Sequence, residues 1–255
     1  MLSRYKSYFE NLFRVLPFFT SRPTYRSMKM FADAIEDYYS YNLKSSFVFY
    51  KHCLQKKYNG IKIIYDLGIY FRSWDKLDRL EKKIINLSYG NILDIGSCTG
   101  YYIPYLMNKG PTTGIELSSK INNIARKKGL DNCISGDFLK YKFNKTFDTI
   151  TLFGNDIALS GSLFNLKKIL KKFKKLLNHD GQVLLIISHI RTLKYWHVIF
   201  TPKYEGHFGI PFKLLFFNTH FFNKFAAKYG FYSSILGKSE MLGDLSYLVR
   251  LVKLS

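Results

Sequence analysis

The spacing of apolar and polar residues changes near position 89 of this 255-residue chain. From there on, short apolar runs alternate with segments whose apolar residues recur at helical spacing. Such alternation is typical of a doubly wound α/β sheet in which most strands are parallel. The predicted strands are 91–95, 112–117, 133–135, 147–153, 182–188, 231–237 and 245–253, which together give a seven-stranded sheet.

The segments between these runs predict helices over 101–108, 118–128 and 163–178. The last of them has the clearest pattern, because Leu166, Leu170 and Phe173 fall on one apolar stripe and lysines cover the rest. Ser118 precedes the second helix and is suited to cap it. Helices that alternate with parallel strands cover both faces of a sheet.

Residues 1–88 show no such alternation and are predicted to form an N-terminal helical extension, or cap. Its clearest helix is predicted over 72–87, where Leu77, Leu80, Ile84 and Leu87 recur at helical spacing. The remaining residues, 89–255, would form the α/β domain. Within it, 190–218 is long, aromatic and basic, and we interpret it as an insertion that acts as a lid.

The net charge of +21 leaves two interpretations open. One is an anionic partner such as RNA, and the other is a lysine-rich surface that reflects genome composition. Three widely separated cysteines argue against disulfides or a structural zinc site, and they favour a reducing cytoplasm. No apolar run is long enough to span a bilayer. The first 19 residues predict an amphipathic helix, which we expect to pack on its own domain rather than on a membrane surface.

Three motifs follow the first three strands. Asp94 is the next-to-last residue of the first strand, and the turn from Gly96 to Gly100 then opens a helix whose backbone N–H groups are free to face a ligand. Glu116 ends the second strand 20 residues after Gly96, where a carboxylate can accept hydrogen bonds from both hydroxyls of a ribose. Asp137 and Phe138 follow the third strand and suit the edge and ring of an adenine. Together they predict a site for a nucleotide-like cofactor.

In order and spacing, these motifs resemble those of the class I S-adenosylmethionine-dependent methyltransferases. The first motif of that family is an acid followed by GxGxG, and here Cys98 stands in place of the middle glycine. The third glycine of the nicotinamide-binding pattern is absent, which disfavours a dehydrogenase. The resemblance implies a Rossmann-like domain whose last strand is antiparallel, and S-adenosylmethionine as the cofactor.

The resemblance also implies a role for each matching residue. The acid and turn of the first motif would face the methionine part of the cofactor, and they are Asp94, Gly96, Ser97, Cys98, Thr99 and Gly100. Glu116, followed by Leu117, would hold the ribose hydroxyls, and Asp137 and Phe138 would hold the adenine. Phe153 and Asn155 would lie beside the sulfonium, and Arg72 of the extension would reach the cofactor carboxylate. No metal site is predicted.

Two residues are candidate bases for removing a proton from the acceptor, namely His189 after the fifth strand and Asp156 after the fourth. The chain lacks the (Asn/Asp)-Pro-Pro-(Tyr/Phe) run of enzymes that methylate base amino groups, and it lacks the Pro-Cys pair that attacks cytosine. We therefore favour a small-molecule acceptor. The alternatives are an RNA methyltransferase and a non-catalytic module with a methyltransferase fold.

Overall fold

A computed structural model describes residues 22–53, 58–241 and 244–254. The amphipathic helix predicted for the first 19 residues lies outside these ranges. Within them, no helix is both long and apolar enough to cross a membrane.

The described chain alternates helices and strands along most of its length. The α-helices are α1 (Tyr25–Tyr39), α2 (Arg79–Leu87), α3 (Ile103–Met107), α4 (Ser119–Lys127), α5 (Leu163–Leu176) and α6 (Thr219–Ala227). The strands are β1 (Val48–Cys53), β2 (Tyr58–Ile64), β3 (Ile92–Ile95), β4 (Thr112–Glu116), β5 (Cys133–Ser135), β6 (Phe147–Leu152), β7 (Leu177–Ser188), β8 (Tyr195–Tyr204), β9 (His207–Phe208), β10 (Phe212–Phe217), β11 (Phe231–Met241) and β12 (Asp244–Lys253).

The larger sheet has seven strands in the order β11-β12-β7-β6-β3-β4-β5. Neighbours from β7 to β5 pair in parallel, whereas β12 is antiparallel to both β7 and β11. The inner strand β7 is buried over most of its length, as expected where helices cover both faces of a sheet. The predicted seven-stranded, mostly parallel sheet with an antiparallel last strand is confirmed.

Local capping explains where two helices differ from the sequence prediction. The helix predicted from residue 72 begins only at Arg79, because Asp78 caps it by accepting a hydrogen bond from the Leu80 N–H at 2.7 Å. Glu81 completes the capping box by accepting from the Asp78 N–H at 2.6 Å. Helix α5 ends at Leu176 rather than at residue 178, because Leu177 already pairs with Phe147 in the sheet.

The N-terminal extension is not wholly helical, which corrects the predicted helical cap. Strands β1 and β2 of the extension join β8 and β10 of the segment 190–218 in one antiparallel sheet of order β10-β8-β1-β2, in which β1 pairs with β8 and β9 lies alongside β8. We call this the cap sheet. β1 pairs with residues about 150 positions away in the chain. The spacing of apolar residues within the extension therefore could not predict this strand.

Candidate functional site

A cavity of about 450 Å³ lies between the carboxyl ends of the central strands and the cap sheet. Parallel sheets of this kind bind ligands at this edge, where the strand order reverses. Most of the predicted site residues line the cavity, namely Arg72, Gly96, Cys98, Glu116, Leu117, Asp137, Phe138, Phe153, Asn155 and Asp156.

Asp94 lies just beneath the cavity at the end of β3 and is 1% exposed. Its Oδ1 atom accepts a hydrogen bond from the Thr151 hydroxyl at 2.8 Å, whereas its Oδ2 atom has no partner among the described residues. Burial raises the pKa of this carboxyl to about 7, and the nearby charge of Glu116 adds to the shift. A buried, unsatisfied carboxylate is costly, so this position favours a cationic ligand close by.

The turn after Asp94 is held from below by residues that do not line the cavity. Ser97 and Thr99 are fully buried, and Gly100 packs close to Leu130 and Ala125. The Thr99 hydroxyl donates a hydrogen bond to the Tyr70 carbonyl and so ties the turn to the extension. Ser97, Thr99 and Gly100 are therefore predicted site residues that shape the turn and are not among the residues lining the cavity.

Cys98 has φ of 49°, in the left-handed region that the family pattern fills with glycine. Its side chain lines the cavity, and burial raises the pKa of its thiol well above the ordinary value. A thiol kept protonated in this way is a small apolar group that fits the buried turn, although the positive φ costs about 1–2 kcal/mol in backbone strain relative to glycine.

Two backbone N–H groups hold the Glu116 carboxylate at the end of β4. Its Oε2 atom accepts from the Cys98 N–H at 3.1 Å, and its Oε1 atom accepts from the Ser118 N–H at 2.8 Å. Burial raises the pKa of Glu116, and these hydrogen bonds oppose that shift. Each carboxylate oxygen keeps a second lone pair, so Glu116 can still accept hydrogen bonds from a diol in the cavity.

Asp137 is partnered from the extension, which the sequence did not predict. Its Oδ2 atom forms an ion pair with Arg22, and its Oδ1 atom accepts from the Leu139 N–H at 3.0 Å. Beside it, Phe138 packs against Phe173 of the domain core, with ring centroids 5.7 Å apart. Arg22 thus borders the end of the cavity at which an adenine is predicted.

Asp156 lies directly over the turn of the first motif. A Cβ atom built on Gly96 would be only 2.6 Å from the Oδ2 atom of Asp156. Enclosure by protein raises the pKa of Asp156 well above the ordinary value, and the charges of Asp94 and Glu116 raise it further. Three acids are therefore gathered at one end of the cavity, where a cation would relieve their mutual repulsion.

Phe153 and Asn155 fix the chain on either side of this acid end. The Phe153 ring stacks on Tyr102, with centroids 3.7 Å apart. Asn155 has φ of 82°, and its Oδ1 atom accepts from the Ser188 N–H at 3.0 Å. These contacts connect the loop after β6 to α3 and to the end of β7.

Arg72 reaches the cavity from the extension and is held by a buried acid. It donates to Glu81 at 2.6 Å, and Glu81 also accepts from the Tyr102 hydroxyl at 2.5 Å. Although burial opposes it, the ion pair with Glu81 raises the pKa of Arg72, which stays charged. A fixed guanidinium at the cavity wall is suited to bind a ligand carboxylate.

His189, the first candidate base, is not among the residues that line the cavity. Its Nδ1 atom accepts from the Thr219 N–H at 3.2 Å and lies 2.8 Å from the Thr219 hydroxyl, at the start of α6. The ring packs against Tyr247, with centroids 5.1 Å apart. These contacts give His189 a structural role between the larger sheet and α6.

The structure adds cavity residues that the sequence did not single out. Tyr65 and Tyr70 of the extension join the lining, with hydroxyl oxygens 2.9 Å apart, and burial raises the pKa of Tyr65 to about 12. Glu81 and Lys51 also line the cavity. None of them belongs to a motif, and only the capping-box spacing of Asp78 and Glu81 could have drawn attention to one of them.

Replacing Gly96 with alanine should abolish cofactor binding and lower stability. Gly96 has φ of 77°, so alanine costs about 1–2 kcal/mol in backbone strain, and its methyl group would displace Asp156. Gly206 is a matched control, because it has the same φ of 77° and no described atom within 4 Å of a built Cβ. Thermal unfolding should show a loss in both variants, and calorimetry a binding loss in Gly96→Ala alone. Equal binding in the two variants would contradict the close approach at Gly96.

Comparisons with known proteins also match part of this chain to methyltransferases. A family model described as a methyltransferase domain matches residues 93–185. An uncharacterised methyltransferase of Bacillus cytotoxicus is 31% identical over 110 residues, which cover 42% of this chain and 50% of that protein. The chain spans 58% and 50% of the lengths of the two curated relatives that it matches.

Solved structures extend the likeness over most of the chain. A methyltransferase from Bacteroides fragilis, in complex with S-adenosylhomocysteine, superposes with a TM-score of 0.76 at 22% identity, covering 92% of this chain and 99% of that one. A sugar N-methyltransferase from Streptoalloteichus superposes with a TM-score of 0.55 at 13% identity, covering 78% and 97%. At these identities the structures establish the fold. Together with the family match, they confirm the resemblance drawn from the motifs.

Proposed function

We propose that this chain, which carries a class I S-adenosylmethionine-dependent methyltransferase domain, transfers a methyl group to a small molecule held beneath its cap sheet. The observation that carries the proposal is the cavity itself. The cofactor motifs border it on one side, and apolar residues of the cap sheet border it on the other. A site with these two walls holds a cofactor and a small acceptor face to face.

The residues present fit the cofactor. The unpartnered Oδ2 atom of Asp94 and the acids around Gly96 suit a cation, and Glu116 suits a ribose diol. Arg72 would bind the carboxylate, and Asp137 with Phe138 the adenine. When bound, the cofactor supplies an activated methyl group on a sulfonium.

The remaining task of the protein is to position the acceptor and to receive its proton. Asp156 is the candidate base, because it lines the cavity over Gly96, beside the predicted sulfonium position. None of the described residues hydrogen-bonds its carboxylate. The aromatic residues of the cap exclude water, so that the acceptor rather than solvent meets the cofactor. Tyr65 also lines the cavity, and the charge of Asp156 contributes to its raised pKa. We expect the Tyr65 side chain to contact the acceptor.

A small acceptor fits this architecture better than RNA. The cap sheet stands over the strand ends, and a structural neighbour is named as a sugar N-methyltransferase. The charge of +21 is what favours RNA as the alternative. That alternative predicts RNA binding that weakens steeply with salt, and affinity that hardly changes between low and physiological salt would contradict it.

The proposal is tested by calorimetric titration of S-adenosylhomocysteine into the wild type, Glu116→Ala and Glu240→Ala. We expect binding by the wild type that Glu116→Ala weakens by about 1–3 kcal/mol, since the ribose loses its hydrogen-bonded partner. Glu240 is an exposed acid on β11, so its variant should bind like the wild type. Absence of binding by folded wild-type protein would overturn the proposal and favour a non-catalytic module.

A further inference from the structure

One face of the cap sheet forms the apolar wall of the cavity. Pairing places Phe49 of β1 opposite Ile63, and Lys51 opposite Phe200. Since alternate residues of a strand share a face, Lys51 points to the same side as Phe49. The strand residues of this face that line the cavity are Phe49, Lys51, Ile63, Phe200, Phe212, Leu214 and Phe216, so Lys51 is the exception among apolar side chains.

Lys51 differs from the other cations that line the cavity. Arg22 is paired with Asp137 and Arg72 with Glu81. The Lys51 ammonium lies 5.6 Å from the centroid of the Phe216 ring, and no carboxylate of the described residues is within 4 Å of it. Lys51 is half-buried, and a cation in an apolar wall is costly unless an anion meets it.

Three acidic side chains and Lys51 lie on opposite walls of the cavity. Asp94, Glu116 and Asp156 gather at the strand ends of the larger sheet, whereas Lys51 lies on the cap sheet. An anionic group would be repelled by the acids and attracted by Lys51, while a flat apolar body would pack on the rings between them. This arrangement orients an acceptor with its anionic group towards the cap and its other end towards Asp156.

We infer that the acceptor is a small molecule with a flat apolar body and an anionic group that pairs with Lys51. The inference rests on the proposed function and assigns the substrate class of the same site. A carboxylate and a phosphate would both satisfy Lys51. The reacting atom then lies on the part of the acceptor away from the anionic group.

Four probes that share a naphthalene ring and differ in the charge of the attached group test this inference on protein saturated with S-adenosylhomocysteine. They are 2-naphthoate, 2-naphthyl phosphate, neutral 2-naphthamide and 2-naphthylmethylammonium, titrated by calorimetry. We expect at least one anion to bind wild-type protein about tenfold more tightly than the amide, because it gains a charged hydrogen bond. The tighter of the two anions identifies carboxylate or phosphate as the group.

The variants assign the preference to Lys51. Lys51→Met should remove the preference for anions, and Lys51→Glu should transfer it to the ammonium probe. Lys62→Met is the matched control, because Lys62 is exposed on the same sheet and pairs with Tyr50, on the face turned away from the cavity. That variant should keep the wild-type preference. Should Lys51→Met fail to fold, Lys51→Gln tests the same loss of charge.

Titration of S-adenosylhomocysteine into each protein separates this inference from the proposed function. Failure of the wild type to bind it would count against the proposed function. With that binding intact, three results would overturn the inference. The first is that the anions bind no more tightly than the amide. The second is that the preference for anions survives in Lys51→Met and Lys51→Glu. The third is that neither anion binds with a dissociation constant below the millimolar range.

Discussion

Asp156→Asn is expected to lower the rate of methyl transfer by ~10²–10⁴-fold, the range for loss of a general base. The substitution keeps the size of the side chain over Gly96 but cannot accept the acceptor proton. The measurement is release of S-adenosylhomocysteine from S-adenosylmethionine, with a panel of amines, phenols and hydroxy acids, between pH 6 and 9. Because enclosure and neighbouring acids raise the pKa of Asp156, the wild-type rate should rise with pH as this carboxyl ionises.

Binding of the product, which lacks the sulfonium, separates catalysis from folding in this variant. S-adenosylhomocysteine lacks the sulfonium charge, so its affinity should change by less than about threefold in Asp156→Asn. Asp131→Asn is the matched control, because Asp131 is exposed and lies outside the cavity, and its variant should keep the wild-type rate. A rate in Asp156→Asn equal to that of the control would remove Asp156 as the base.

That the predicted cofactor residues meet at one edge of the sheet could be predicted from the sequence, because they stand at the ends of strands that follow one another in the chain. Asp94, Glu116 and Asp137 each stand at or just after the end of a short apolar run. Parallel pairing of β3, β4 and β5 brings those ends to one edge of the sheet. A local pattern and one rule of topology were therefore enough to place them together.

The cap-sheet wall of the cavity could not be predicted, because its residues meet only through long-range pairing. Strand β1 pairs with β8, and the cavity-facing position of Lys51 depends on that register. The length and the aromatic, basic composition of the insertion suggested a lid but gave no partner strand. The surroundings of His189 depend on long-range contacts in the same way. Its position after β7 suggested a site residue, whereas in the structure its Nδ1 atom accepts from the Thr219 N–H at the start of α6.

The affinity for S-adenosylmethionine is expected to rise by about tenfold or more between pH 5.5 and 7.5. Burial raises the pKa of Asp94 to about 7 and raises that of Glu116, so the free protein holds protons that a cationic ligand displaces. If binding requires ionised Asp94, affinity falls about tenfold for each pH unit below its pKa. Calorimetry in buffers of different ionisation enthalpy should detect proton release on binding at pH 6.5.

The same linkage fixes the sign of the stability change. A carboxyl whose folded pKa is raised, as for Asp94, stabilises the free protein below about pH 4, and this contribution is lost as pH rises towards 7. The increase in Tm on adding S-adenosylmethionine should therefore grow from pH 5.5 to 7.5, because the ligand offsets a repulsion that grows over that range. In Asp94→Asn the ligand-induced increase in Tm should depend less on pH, whereas Asp131→Asn should keep the pH dependence of the wild type. A ligand-induced increase in Tm that is constant with pH would mean that the three acids do not bind the cofactor in their ionised form.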